Sequence, residues 1–382
     1  MDMRKLGGGS VGRRVGSSSK QSRPRWAAFV AVAAAVTAAF CVIMTTGGAA
    51  LAHTSAQAAA GVKGYLGKVV PGYSGTDTKS MKLLLAPKLK KGAHFKVGYL
   101  QIDSSVHVIN VEQLAASAEI KALGGTTVML NANDNPNTQV QQLKQLLADG
   151  VNAIIAQPLI PEGVAQGFKQ AAAQHIPVIV INQQTSAGVP HLPNTVTDVD
   201  QAMDYSTYET MKTITAKIRK GSSFAIMSLG IPVPVLGYQT QRDQYWGQKF
   251  GLKFVGTVPA AAATPEAYSA AAKALLTKYP TVKAIATLND QAAVATASAA
   301  QTLGKSNIQI FTANGGDPVS VPDLKSGRVG VVYRVPWEQQ GIQAAIAAYD
   351  AVTKQNQPLP PLINIPGTVV TKANVSKVPF AS

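Results

Sequence analysis

Ten polar side chains stand where a fold could gather them around one small molecule. Asp103, Ser104 and His107 follow the apolar run 95–102, and Asn182 and Gln183 follow the run 176–181. In the second half, Arg242 lies between the apolar runs 223–228 and 254–258. Asn289 and Asp290 follow 282–287, Asn314 follows 308–312, and Arg334 follows 329–333. Carboxylates, amides and guanidinium groups present donors and acceptors in fixed planes, which suits the hydroxyl groups of a polar solute. Singly, each reads equally well as a loop or cap residue. Their recurrence at the ends of apolar runs is what points to a ligand-binding site.

Bond-making chemistry is not written into the chain in the same way. His94, His107, His175 and His191 are far apart, no G-x-x-x-x-G-K-[ST] occurs, and G-x-S-x-G and G-x-G-x-x-G match only within the Gly/Ser-rich N-terminal run 7–12, which no strand-like run precedes. No nucleophile stands beside an obvious base, so no catalytic residues and no enzyme activity are expected. The stretch 131–137, Asn-Ala-Asn-Asp-Asn-Pro-Asn, superficially suggests a calcium loop. It lacks the alternating acids and the distal Glu of such a loop, and reads instead as a turn followed by a helix cap. The single cysteine, Cys41, excludes an intrachain disulfide and a Cys-cluster metal site. Neither a metal nor a cofactor is expected.

The elements that must hold the ten residues follow a regular alternation. Strand-like runs at 95–102, 126–130, 153–156 and 176–181 are separated by helical patterns, among them Val140, Leu143 and Leu147, then Val164, Phe168 and Ala172. The alternation restarts with runs at 223–228, 254–258, 282–287, 308–312 and 329–333. It closes with a helix carrying Ile342, Ile346, Tyr349 and Val352 and a strand near 368–370. Strands alternating with helices imply parallel βαβ units. The stretch from Leu146-Leu147 into Val151-Asn-Ala-Ile-Ile155 is echoed by Leu275-Leu276 and Val282-Lys-Ala-Ile-Ala286, so two similar α/β lobes are expected. In open parallel sheets, ligands sit beyond the C-terminal strand ends, where the ten residues fall.

Length and composition agree with two lobes plus an address. The chain has 382 residues, 46% hydrophobic and 14% charged, which excludes disorder for most of its length. The net charge of +16 divides into +6 over residues 1–25, none over 26–52 and +10 over the remainder. The body's lysines are scattered apart from Lys88, Lys90 and Lys91, so no nucleic-acid partner is expected. A basic start, the apolar stretch 26–44 and Ala50-Leu51-Ala52 together describe a signal peptide over 1–52. Cleavage is placed after Ala52, with Ala58 or Ala60 as alternatives. The competing reading is an uncleaved membrane anchor, since the apolar run approaches the roughly 20 residues that span a bilayer. Residues 53–92 read as a linker or an N-terminal arm lying on the body.

From Phe95 to about Lys377 the chain resembles the periplasmic sugar-binding proteins of the ribose-binding type, the solute receptors of ABC importers. Asn135-Pro136, Leu146–Pro158, His175–Asn182, Arg242, Tyr279–Asp290 and Ala300–Ser306 carry the likeness, and Tyr279–Asp290 is the most specific. The resemblance implies an α/β fold of the type I periplasmic binding protein kind: two doubly wound parallel-sheet lobes joined by three hinge crossovers. The lobes would be 93–196 with 336–362 and 197–335 with 363–378. It further implies a monomer in the periplasm or cell envelope that delivers a sugar or sugar-like solute to an ABC permease. The sequence departs from the family where it has Val106-His107, Asn182-Gln183, Ala313-Asn314 and Arg334, and where Tyr245-Trp246 follow Arg242. The site is thus less acidic and less aromatic than a pentose site. Arg242, Arg334 and His107 would admit an anionic ligand, and Trp246, Tyr238, Tyr333 or Trp337 could supply a stacking face. The rivals are a sensor feeding a receptor kinase or chemoreceptor, a secreted α/β enzyme and a sugar-responsive repressor. The repressor would need an N-terminal helix-turn-helix where an export signal stands.

Overall fold

Successive residues of the first-half strands point into two different cores. Val97, Tyr99, Ile155, Ile179 and Ile181 pack on one side, and Leu100, Ile154, Val178 and Val180 on the other. A strand with both faces apolar needs helices on both faces, which is the parallel α/β arrangement. The second half repeats the pattern, with Ala225, Met227, Ile285 and Val332 on one side and Phe224, Ile226, Phe311 and Val331 on the other.

The computed structural model describes residues 78–90, 94–183, 192–231, 233–305 and 307–382. The first lobe runs β1 (Lys96–Gln101), α1 (His107–Ala122), β2 (Thr126–Asn131), α2 (Pro136–Ala148), β3 (Ala153–Ala156), α3 (Pro161–Ala173), β4 (Val178–Ile181) and β5 (Thr197–Asp200). The second runs α4 (Met203–Thr215), β6 (Ser223–Leu229), α5 (Pro234–Lys249), β7 (Lys253–Ala260), α6 (Pro265–Lys278), β8 (Ala284–Thr287), α7 (Asp290–Thr302), β9 (Gln309–Gly315), α8 (Val321–Ser326) and β10 (Val331–Arg334). The chain then returns to the first lobe with α9 (Trp337–Thr353) and β11 (Leu362–Asn364), and ends on the second sheet with β12 (Thr368–Val370).

The sheets have matching strand orders, β11-β5-β4-β3-β1-β2 and β12-β10-β9-β8-β6-β7. The pairings are parallel except that β12 runs antiparallel to β10. Three crossovers therefore join the lobes, after Asp200, after Arg334 and after Asn364. Two of these fall later than expected, because 197–200 and 363–364, expected in the second lobe, pair in the first sheet. Apolar patterning misses β5 and β11 for a physical reason. They are Thr-Asp-Val-Asp and Leu-Ile-Asn, too short and too polar to stand out, and neighbouring strands define them.

Local chemistry sets the element ends that matter below. Asn135 caps α2, accepting hydrogen bonds from the backbone N–H groups of Asn137 and Thr138, with Pro136 at the first helical position. The preceding Asn133 and Asp134 turn the chain at φ 48° and 55°. The turn-and-cap reading of 131–137 holds. Helix α9 lies close against α1 because Gly341 has no side chain: a Cβ there would run into the Glu112 carbonyl oxygen. Residues 1–52, where a signal peptide is expected, and residues 53–77 and 91–93 lie outside the described residues. Residues 78–90 run along α9. Leu84 exchanges hydrogen bonds with Gln343 at 2.6 and 3.2 Å, and the Lys90 backbone donates to the Tyr349 hydroxyl at 2.7 Å.

Candidate functional site

Beyond the C-terminal strand ends lies a cavity of about 110 Å³ walled by both lobes. The first lobe supplies Ile102, the start of α1, Asp134, Gln157, Asn182 and Gln201. The second supplies Tyr268, Asn289, Asp290, Asn314 and Asp317, with Leu229, Ile231 and Val233 as an apolar side. Trp337 stands at the second crossover.

Each polar group is held by its element. Asn182 ends β4 in the left-handed region at φ 55°, a conformation Asn tolerates better than most residues. Its amide donates to the Glu112 carboxyl at 3.2 Å and accepts from Gln340 Nε2 at 2.7 Å. Glu112 is fully buried on α1, and burial pushes its carboxyl well above the usual range, against the lowering effect of the Asn182 bond. Gln157 follows β3. Gln139 orders that segment by donating to the Gln157 carbonyl at 2.8 Å and accepting from the Leu159 N–H at 2.9 Å. Asn289 caps α7 through the Ala292 N–H at 2.9 Å and donates to the Tyr268 hydroxyl at 3.1 Å.

Asp290 opens α7 and is 2% exposed. It accepts from the Ser320 hydroxyl at 2.5 Å and from the Asp317 N–H at 3.0 Å. Burial nevertheless dominates, and the carboxyl is pushed up to about 7. This packing needs Gly315 and Gly316 at the end of β9. A Cβ on Gly315 would lie 3.1 Å from the Asp290 carboxylate, and one on Gly316, at φ 130°, would lie 2.8 Å from Trp337 Nε1. With no side chains there, Trp337 Nε1 donates to the Gly315 carbonyl at 3.0 Å and its ring faces the cavity.

Of the ten residues expected from the sequence, Asn182, Asn289, Asp290 and Asn314 line this cavity, and the other six do not. Asp103 closes a turn, accepting from the N–H and hydroxyl of Ser105 at 2.8 and 2.7 Å. Ser104 is tied to Asn131, whose Nδ2 donates to its hydroxyl at 2.6 Å. His107 Nε2 lies 3.2 Å from the Ala381 carbonyl of the C-terminal tail. Gln183 braces the first lobe, with its N–H on Asp200 at 2.9 Å and its side chain on the Pro158 carbonyl at 2.8 Å. Arg242 is not at a strand end; it lies within α5 and pairs with the buried Asp204 of α4. Arg334 binds both Glu338 oxygens, at 2.9 and 2.7 Å, and the Pro379 carbonyl at 3.0 Å. The expected cationic contribution of Arg242, Arg334 and His107 is therefore absent from the described wall.

Of the four aromatic candidates, Trp337 alone lines the cavity. Tyr238 and Tyr333 are buried in the cores, and Trp246 packs against Tyr208 and Phe250. Sequence reasoning missed Asp134, Gln157, Gln201, Tyr268 and Asp317 as site residues. Gln157 carried the strand-end signal. Gln201 follows a strand that patterning does not predict. Asp134 and Tyr268 reach the cavity from a turn and a helix and carried no signal.

The chain is similar to proteins of known architecture. It is 24% identical over 249 residues to the ribose import binding protein RbsB of Salmonella typhimurium, covering 63% of this chain and 78% of that one. A solute-binding protein of an ABC transporter from Agrobacterium vitis, solved with alpha-D-tagatopyranose, superposes with a TM-score of 0.67. It is 19% identical, covering 75% of this chain and all of that one. An ABC sugar transporter subunit from Rhodobacter sphaeroides superposes with a TM-score of 0.66 at 21% identity, covering 73% of this chain and 99% of that one. The family model described as periplasmic binding protein domain matches residues 106–356, about two thirds of the chain. With its paired lobes, matched strand orders and inter-lobe cavity, the chain belongs to the periplasmic binding protein domain family.

Proposed function

We propose that this chain is the exported solute receptor of an ABC importer, and that it holds a sugar or sugar-like molecule in the inter-lobe cavity. One observation carries the reading. A cavity of about 110 Å³ lies at the C-terminal ends of the parallel strands of both sheets and takes polar side chains from both lobes. A ligand that touches both lobes favours the closed arrangement over the open one by its differential contacts. The relatives support the class of ligand, since their names describe ribose, tagatose and sugar transport. We further propose that the protein acts as a monomer in the cell envelope, that residues 1–52 direct its export, and that a membrane permease reads the closed state.

The test is a thermal-shift and calorimetric screen of the purified protein against pentoses, hexoses, polyols and their amino and acid derivatives. A ligand that binds only the folded state stabilises it by mass action, by about 2.7 kcal/mol at one hundred times its Kd, and so raises the unfolding midpoint. Saturable binding by one such compound, weakened by Asn314→Ala, is expected. A well-folded protein silent to the whole panel refutes the sugar assignment.

A further inference from the structure

We propose that residues 379–381 act as a clip between the lobes: a strap that belongs to the second lobe, grips the first, and favours the closed arrangement before any solute binds. After β12 the chain stays on the second lobe, where Val375 is buried in the core and Val378 and Phe380 pack against it. Arg334 Nε donates to the Pro379 carbonyl at 3.0 Å. Ala381 then crosses over. It is 2% exposed, and its backbone meets both lobes. Its N–H donates to the Gly316 carbonyl of the second lobe at 3.0 Å. Its own carbonyl lies 3.2 Å from Nε2 of His107, the first residue of α1 in the first lobe. Its side chain joins an apolar cluster made of Val111 from α1, Tyr333 from β10, and Val335 and Trp337 from the second crossover.

This seat lies beside the inter-lobe cavity. His107 stands between Val106 and Val108, and Gly316 between Asn314 and Asp317; all four of those flanking residues line the cavity, two from each lobe. Trp337 belongs both to the cavity wall and to the cluster that holds Ala381. A hinge motion that parts the two walls carries His107 and Val111 away from Gly316, so Ala381 keeps its partners on one side only. Contacts made in one arrangement and lost in the other shift the equilibrium toward the first. A hydrogen bond of ordinary net strength is enough to change such an equilibrium about two- to tenfold. The second lobe does not need this grip for its own core, which Val375, Val378 and Phe380 already cover.

The experiment measures the distance between the lobes by pulsed electron resonance, on the full chain dialysed free of solute. Spin labels are placed on Glu162→Cys and Glu266→Cys in a Cys41→Ser background. Both glutamates are exposed and lie in the first turns of α3 and α6, one on each lobe at the cavity end of the sheets. The parent is expected to show mainly the short, closed distance. Deleting residues 381–382, which leaves Phe380 and Pro379 in place, is expected to raise the open population about tenfold. His107→Ala removes only the bond to the first lobe and is expected to raise it by about two- to fivefold. Thermal midpoints within a few degrees of the parent's certify the fold, and His107→Ala carries the test if the deletion fails to fold. A parent that is mainly open without solute overturns the proposal. So does an open population that both variants leave unchanged, since the tail would then only complete the second lobe. The readout needs no solute, so its outcome stands apart from the sugar assignment.

Discussion

Asp290 makes the stability of the ligand-free protein fall as pH rises. Its carboxyl is buried in the second lobe, and burial lifts its titration from 3.8 to about 7, against the bonds from Ser320 and Asp317. The unfolded chain releases this proton near pH 4, whereas the folded chain keeps it to about pH 7. Between those values the folded state binds more protons, so ionisation favours unfolding. The contribution is fully present below about pH 4 and is lost by about pH 7. At about 1.36 kcal/mol per pH unit, the rise from 3.8 to about 7 amounts to about 4 kcal/mol. Glu112, Asp198 and Asp243 are also raised by burial and act in the same direction, so the raw pH profile does not isolate Asp290. Asp290→Asn does, because the amide has no proton to lose. Urea unfolding followed by tryptophan fluorescence, run on both proteins from pH 4 to pH 8, gives the difference. The wild type's advantage over the variant should shrink by about 4 kcal/mol across that range. A difference that stays constant to about 1 kcal/mol would refute the assignment of Asp290 as a buried carboxyl titrating near neutrality.

Other expectations follow from particular contacts. Arg242→Met removes the cation beside buried Asp204, which also accepts from the Tyr238 hydroxyl at 2.7 Å. Breaking a buried pair costs about 3–5 kcal/mol, so the melting midpoint should drop while calorimetry finds ligand affinity within a factor of about two. Gly341→Ala forces a methyl against the Glu112 carbonyl, where backbone on both helices resists relaxation. Overpacking of this kind costs about 1–3 kcal/mol, readable as a midpoint several degrees lower. Trp337→Ala empties one wall of the cavity and removes the bond to Gly315. A loss of about 3–5 kcal/mol in stability is expected, together with weaker ligand binding in calorimetry. Deleting residues 379–382 removes the Ala381 N–H bond to Gly316 at 3.0 Å and the carbonyls that Arg334 and His107 meet. Loss of such partners costs about 1–3 kcal/mol, measurable by denaturant unfolding.

Much of the architecture was legible because it depends on local patterning. Runs such as Ala-Ile-Ile-Ala at 153–156 and Val-Ile-Val-Ile at 178–181 are apolar at every position, and only a strand between two helical layers buries them on both faces. Asn135-Pro136 announced its helix start through capping, which acts over three residues. Strands β5 and β11 were not legible, because their polar residues are buried by what lies beside them rather than by their own pattern. The candidate site divides along the same line. Asn182, Asn289, Asp290 and Asn314 sit at strand ends, and strand ends of a parallel sheet face the ligand side whatever the detail.

The chain's own pattern determined the repeated βαβ alternation, the two-lobe arrangement and the side of each sheet on which a ligand would sit, since these follow from hydrophobic periodicity and short-range capping. Only the tertiary structure decided which polar groups remain available to a ligand. Arg242 turned into its helix pair with Asp204, Arg334 onto Glu338, and His107 toward the C-terminal tail, while Gln157, Gln201 and Asp317 came to face the cavity. Those outcomes depend on partners 4 to 274 residues away. A charge's role is set by the nearest opposite charge in space, and a single sequence does not say which one that will be.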